Sequence, residues 1–158
     1  GAGHRPAILD IDVHHGNGTQ GIFYDRADLL TVSIHADPAD FYPFFWGHAQ
    51  ERGTGPGLGA NLNLPLPHGS GTGAMQAALQ LAAEAIRKFD ARALVVALGF
   101  DAHRADPIGV LALDSGDFAA IGEAVSRLDL PTLIVQEGGY GIDVLDPSLT
   151  AFLQGLGG

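Results

Sequence analysis

No cysteine occurs in the 158 residues, so disulfides, thiolate metal ligands and a cysteine nucleophile are all excluded. Basic residues are scarce: eight Lys and Arg stand against eighteen Asp and Glu, a formal net charge of −10. Nucleic acid is disfavoured as a partner, because gripping its phosphates takes clustered positive charge. A small cationic ligand suits the balance better. No apolar run approaches the roughly 20 residues that a bilayer span requires, and Gly1–Pro6 carries no hydrophobic leader. These absences point to a cytoplasmic setting without a membrane partner. The opening on Gly1 rather than Met suggests a removed upstream segment or a longer polypeptide. What is present is 46% hydrophobic, enough for one globular domain with a sizeable core.

Ile8-Leu9-Asp10-Ile11-Asp12-Val13-His14 begins as an aliphatic, β-branched run interrupted by a polar residue at every second place. In a strand over about 6–13, residues two apart share a face, so Asp10, Asp12 and His14 converge near its carboxyl end. Burying two carboxylates together is unfavourable without a cation or hydrogen-bond donors, and a bound metal would compensate them. An Asp pair capping the following glycine turn, with His14 packed, is the plainer alternative.

Further strands are expected over about 29–35, 61–65, 92–99 and 131–136. Helices are expected over about 19–24 with Thr19 as cap, 71–89, 116–128 with Ser115 as cap, and 149–156. Strands alternating with helices indicate an α/β fold, a parallel sheet flanked by helices. Residues 36–59 form a long irregular stretch in which Phe41-Tyr42-Pro43-Phe44-Phe45-Trp46 gathers five aromatics in six positions. A pocket wall, a partner interface and plain packing under a loop all fit it.

Ligands of open α/β sheets bind beyond the carboxyl ends of the strands. There stand Asp12 and His14, Ser33 and His35, Asp101 and His103, and Gly138-Gly139-Tyr140. An Asp-x-His pair plus a distant Asp supplies three ligands, the number a catalytic zinc keeps while leaving one position open. Such an ion acidifies water and polarises a carbonyl, and a tyrosine hydroxyl can donate to the developing oxyanion. Asp101-Ala102-His103 is a competing pair, which leaves a two-metal site open. Asp101 as a turn cap and Tyr140 as a half-buried aromatic are the plainer readings. His4, His48 and His68 lie in Gly/Pro-rich turns and are expected to face solvent.

Four motifs occur in order: Asp10-Ile11-Asp12-Val13-His14-His15-Gly16-Asn17-Gly18-Thr19-Gln20, Val32-Ser33-Ile34-His35, Gly99-Phe100-Asp101-Ala102-His103 with Asp106-Pro107, and Glu137-Gly138-Gly139-Tyr140. Together they resemble the histone deacetylase superfamily. The stretch from His35 to His48 is similar to the bacterial acetylpolyamine amidohydrolases within it.

The resemblance implies an arginase/deacetylase-like fold, of which residues 1–158 would be the C-terminal part of a single catalytic domain. It implies one Zn²⁺ on Asp12, His14 and Asp101, with Tyr140 polarising the scissile acetyl carbonyl. A structural K⁺ is implied at Asp10, Asp12, Ser33 and the carbonyls of His14 and Ile34. A second K⁺ is implied at the carbonyls of Phe23, Arg26 and Leu29. Asn17 would stand beside the catalytic histidines, while Phe41, Tyr42, Ile108, Gly138 and Gly139 would line the substrate tunnel. His103 is not a ligand in the family.

The family's general base is a tandem His-His pair upstream of the first zinc-binding strand, and these residues contain no equivalent. His14-His15 does not replace it, since neighbours in a strand point to opposite faces. The expectation is therefore a zinc-dependent deacetylase of small cationic acetylated amines, homodimeric through 36–59, whose 158 residues alone are inactive. They would also expose a sheet edge prone to aggregation. Acetyl-lysine on protein is the alternative substrate. A non-catalytic metal- or amine-binding module and an arginase-like manganese ureohydrolase are the rival readings.

Overall fold

β-branched and aliphatic runs pair into a single sheet whose five strands are all parallel. The structure is a computed structural model and describes residues 5–158. The strands are β1 (Pro6–Asp10), β2 (Leu30–Ala36), β3 (Asn61–Leu66), β4 (Ala93–Leu98) and β5 (Thr132–Gln136), in the order β3-β2-β1-β4-β5. Between them run α1 (Asn17–Phe23), α2 (Thr72–Lys88) and α3 (Asp117–Ser126), and α4 (Ile142–Gly157) follows β5. β2 is buried along its whole length, as a central parallel strand covered on both faces should be. Met75, Ala78, Leu79, Ala82 and Ile86 recur at helical spacing along α2 and join the core under the sheet.

Several boundaries differ from the sequence expectation, each for a local reason. β1 ends at Asp10, so Asp12 and His14 lie beyond the strand rather than in it. Asp10 Oδ1 accepts the Asp12 N–H (3.1 Å) and Asp12 Oδ1 accepts the His14 N–H (2.8 Å). These consecutive side-chain-to-backbone bonds replace the ladder with tight turns. Thr19 does not cap α1, which begins two residues earlier behind Gly16.

Ser115 does not cap α3 either. Its hydroxyl lies 3.2 Å from His103 Nε2 and accepts the Ser148 hydroxyl at 3.1 Å, while Gly116 precedes the helix. α4 starts at Ile142, not Leu149, and contains Pro147. That proline removes one intrahelical donor, and close packing on α3 carries the helix through it.

β3 places Asn61 and Asn63 inward, each 2% exposed, rather than toward water. At the other edge β5 is largely uncovered, with Leu133 61% exposed. Among the described residues no helix is long and apolar enough to cross a membrane. His68 is exposed as expected, His48 is half-buried, and His4 lies outside the described residues.

Candidate metal centre

The turns after β1 aim Asp12 and His14 at the loop after β4, which carries Asp101. One ligand atom from each of these three residues lies within 4.8 Å of the others. His14 Nδ1 sits 3.0 Å from Asp12 Oδ1 and 3.3 Å from Asp101 Oδ2. The second distance is an electrostatic contact, not an aligned hydrogen bond. Asp101 is fully buried; its Oδ1 accepts the Val13 N–H at 2.9 Å, whereas its Oδ2 is a buried oxygen with no hydrogen-bond partner. Asp12 Oδ2 accepts the Gly138 N–H at 2.8 Å, tying the loop after β5 to the same point. Only glycine fits there, since a Cβ on residue 138 would lie 2.1 Å from Asp101 Oδ2 and 2.4 Å from Asp12 Oδ2.

The charges are strongly linked. The carboxylates of Asp101 and Asp12 against the His14 ring raise its pKa to about 9. Burial raises Asp101. Burial also acts to raise Asp12, but hydrogen bonds from the His14 ring and the main-chain N–H groups of His14 and Gly138 outweigh it and lower the pKa. A proton on His14 thus does what a cation would do, standing between two carboxylates. An orphaned buried oxygen, an imidazole nitrogen turned to both acids and a mixed N/O donor set fit a metal ion with three protein ligands.

His103 is not gathered into this cluster. Its Nδ1 accepts the Ala105 N–H at 3.0 Å and its Nε2 faces Ser115. The two-metal alternative therefore has no second ligand set among the described residues.

Behind the centre, Asp10 pairs across the sheet with Ser33, next to Ile34. Asp10 is 8% exposed, and burial raises its pKa to about 7. Ser33 Oγ accepts the Gly16 N–H at 3.4 Å and lies 2.8 Å from His35 Nδ1. Phe23 ends α1, and Arg26 and Leu29 lie in the segment that joins it to β2, where the Phe23 carbonyl already accepts the Arg26 N–H at 3.0 Å. Asn17 opens α1, its side-chain oxygen accepting the Gly18 N–H at 3.0 Å.

A cleft of about 420 Å³ runs from Asp10 and Gly16 past Asp12 and His14 to Gly138 and Tyr140. Tyr140 is 54% exposed on a turn in which Gly139 has φ +138°, a conformation that favours glycine. Phe41 stacks on His14 at 4.9 Å and Tyr42 meets it edge-on at 6.1 Å. Ile108 is half exposed on the loop after β4.

Two features went unread in the sequence. Gln20, Glu51, Asn61, Asn63 and His15 form a buried polar network: Gln20 Oε1 accepts from Asn63 (2.9 Å), Asn61 (3.1 Å) and His15 Nε2 (3.0 Å), and Gln20 Nε2 donates to Glu51 at 2.6 Å. The alternation in β3 was the available signal, with the polar set facing in. Asp106 is the other, a buried acid that anchors the Tyr140 turn.

Residues 2–156 match the histone deacetylase domain family. The chain belongs to the histone deacetylase family. It is 51% identical to acetylpolyamine amidohydrolase 2 of Pseudomonas aeruginosa over all 158 residues, which cover 46% of that relative. The crystal structure of an acetylpolyamine aminohydrolase from Burkholderia pseudomallei superimposes with a TM-score of 0.95 at 48% identity, over 97% of this chain and 45% of that one. A deacetylase homologue from Aquifex aeolicus gives a TM-score of 0.91 at 29% identity, over 97% of this chain and 42% of that one. This deacetylase-family chain spans about half the length of the curated relatives it matches.

Proposed function

We propose that the chain forms the metal-binding part of a zinc-dependent amidohydrolase that releases acetate from small cationic acetylated amines, such as acetylated polyamines. The convergence of Asp12, His14 and Asp101 beside the Tyr140 cleft carries the reading. The 51% identity to an acetylpolyamine amidohydrolase and the net charge of −10 support the substrate class.

Asp12, His14 and Asp101 would hold Zn²⁺, which when bound supplies Lewis acidity to water and to the acetyl carbonyl. Phe41 and Tyr42 flank the acyl chain from the His14 side, with Ile108 and the Gly138-Gly139 backbone as further walls. Tyr140 donates its hydroxyl to the carbonyl oxygen as negative charge develops there. Asn17 supports the turn behind the histidines. Asp10, Asp12, Ser33 and the carbonyls of His14 and Ile34 would hold K⁺, which would offset the buried Asp10 carboxylate, and the carbonyls of Phe23, Arg26 and Leu29 would hold a second K⁺.

Neither His15 nor His103 is placed as general base. His15 is buried with its Nε2 committed to Gln20, and His103 faces Ser115. We therefore assign little turnover to the 158 residues alone. We assign the working protein to the cytoplasm as a homodimer, contacting through the exposed aromatics of 36–59.

The test is acetate release by the full-length protein from N-acetylputrescine, compared with an acetyl-lysine peptide. The reading predicts preference for the amine and a loss of about 10²-fold or more in kcat for Tyr140→Phe. Preference for the peptide would redirect the substrate, and unaltered turnover in Tyr140→Phe would remove Tyr140 from the chemistry.

A further inference from the structure

Tyr140 reaches the cleft from a short turn between β5 and α4, and its exposed ring has little packing to aim it. The main chain must therefore set its direction. One end of the turn is held at Gly138, whose N–H donates to Asp12 and whose carbonyl accepts the Phe100 N–H at 2.9 Å. The other end is held by a single side chain, Asp106. Its Oδ2 accepts the N–H of Tyr140 at 2.7 Å and that of Gly141 at 2.9 Å, while its Oδ1 accepts the Ile108 N–H at 3.1 Å. Asp106 is 6% exposed, and its own N–H donates to the His103 carbonyl at 2.9 Å, fixing it to the loop that carries Asp101.

We propose that Asp106 is the positioning residue for Tyr140, locking the tyrosine's backbone to the same loop that supplies the Asp101 ligand. The inference rests on the amidohydrolase reading above. A carboxylate suits the place because both of its oxygens accept, one from two adjacent N–H groups and the other from Ile108, at the amino end of α4 where the helix dipole favours negative charge. A neutral asparagine keeps one acceptor for Tyr140 and Gly141 but turns its amide hydrogens toward the Ile108 N–H. It should restore the position in part.

A simple helix cap would make the same bonds, so the test must separate the two. In the full-length protein, Asp106→Ala and Asp106→Asn are compared with wild type for kcat and KM on an acetylated amine, for zinc content, and for amide hydrogen exchange along α4. Misplacement of a reacting group lowers kcat far more than KM. The expectation for Asp106→Ala is a kcat lower by about tenfold or more, with a much smaller change in KM and zinc content unchanged. Exchange should rise at Tyr140 and Gly141 and not at Ala151 or Phe152, with a smaller effect throughout for Asp106→Asn.

Faster exchange with unchanged kcat would make Asp106 a cap only and overturn the inference. So would a kcat loss accompanied by opening of the whole helix or by lost zinc. If the alanine variant does not fold, the asparagine variant decides by the same criteria. Absence of turnover in the wild type would instead refute the amidohydrolase reading itself.

Discussion

Burial raises Asp10 to about 7 and lowers His35 to about 4, so these two residues oppose each other in one pH window. Asp10 binds its proton more tightly folded than unfolded, so its contribution is present below 3.8 and lost as pH rises toward 7. His35 resists protonation when folded, so its contribution is present above 6.5 and lost as pH falls toward 4. Between pH 4 and 6.5 the metal-free, potassium-free chain should have a shallow stability profile. Asp10→Asn, which fixes the neutral form, should leave stability rising with pH, by up to roughly 3 kcal/mol across the window. His35→Gln should leave it falling. Thermal unfolding of the three proteins against pH checks this, and three parallel profiles would contradict it.

At the scale of elements, α3 and α4 approach closely enough that glycine is required between them. A Cβ on residue 155 would lie 2.0 Å from the Ala119 carbonyl oxygen. Gly155→Ala should therefore destabilise by roughly 1–3 kcal/mol, although alanine is the better helix former by about 1 kcal/mol. Gly73→Ala in α2 meets nothing within 4 Å and should be neutral or stabilising by about 0.5 kcal/mol. Denaturant midpoints for the pair separate close approach from propensity; equal shifts would refute the contact.

The elements also show what could be read beforehand. Five strands and their parallel pairing were legible because buried β-branched runs alternate with helical periodicity. The alternation of Asp10, Asp12 and His14 pointed to one converging set, but only Asp12 and His14 join Asp101, and the cause is a pair of side-chain turns rather than a pleat. Pro147 reads locally as a stop, and only the packing of α4 on α3 overrides it. Asp106 was visible as part of a motif. Its role depends on contacts with residues 34 and 35 positions away, which no local pattern encodes.

For the whole molecule, the uncovered strand is the main liability. β5 forms one edge of the sheet, and Leu133 and Val135 are 61% and 40% exposed. A parallel strand normally has both faces covered, and an open apolar edge recruits further strands. The 158-residue chain by itself should self-associate, and Leu133→Lys should raise the concentration at which sedimentation finds it monomeric. Unchanged association in that variant would place the contact elsewhere.

The Asp12–His14–Asp101 centre is tested most directly by following acetate release from N-acetylputrescine by the full-length protein after chelation, as zinc is added back. Turnover should vanish on chelation and return with one equivalent of zinc in the wild type, and should not return in Asp101→Asn. Full zinc-dependent turnover in Asp101→Asn, or turnover indifferent to chelation, would contradict the assignment.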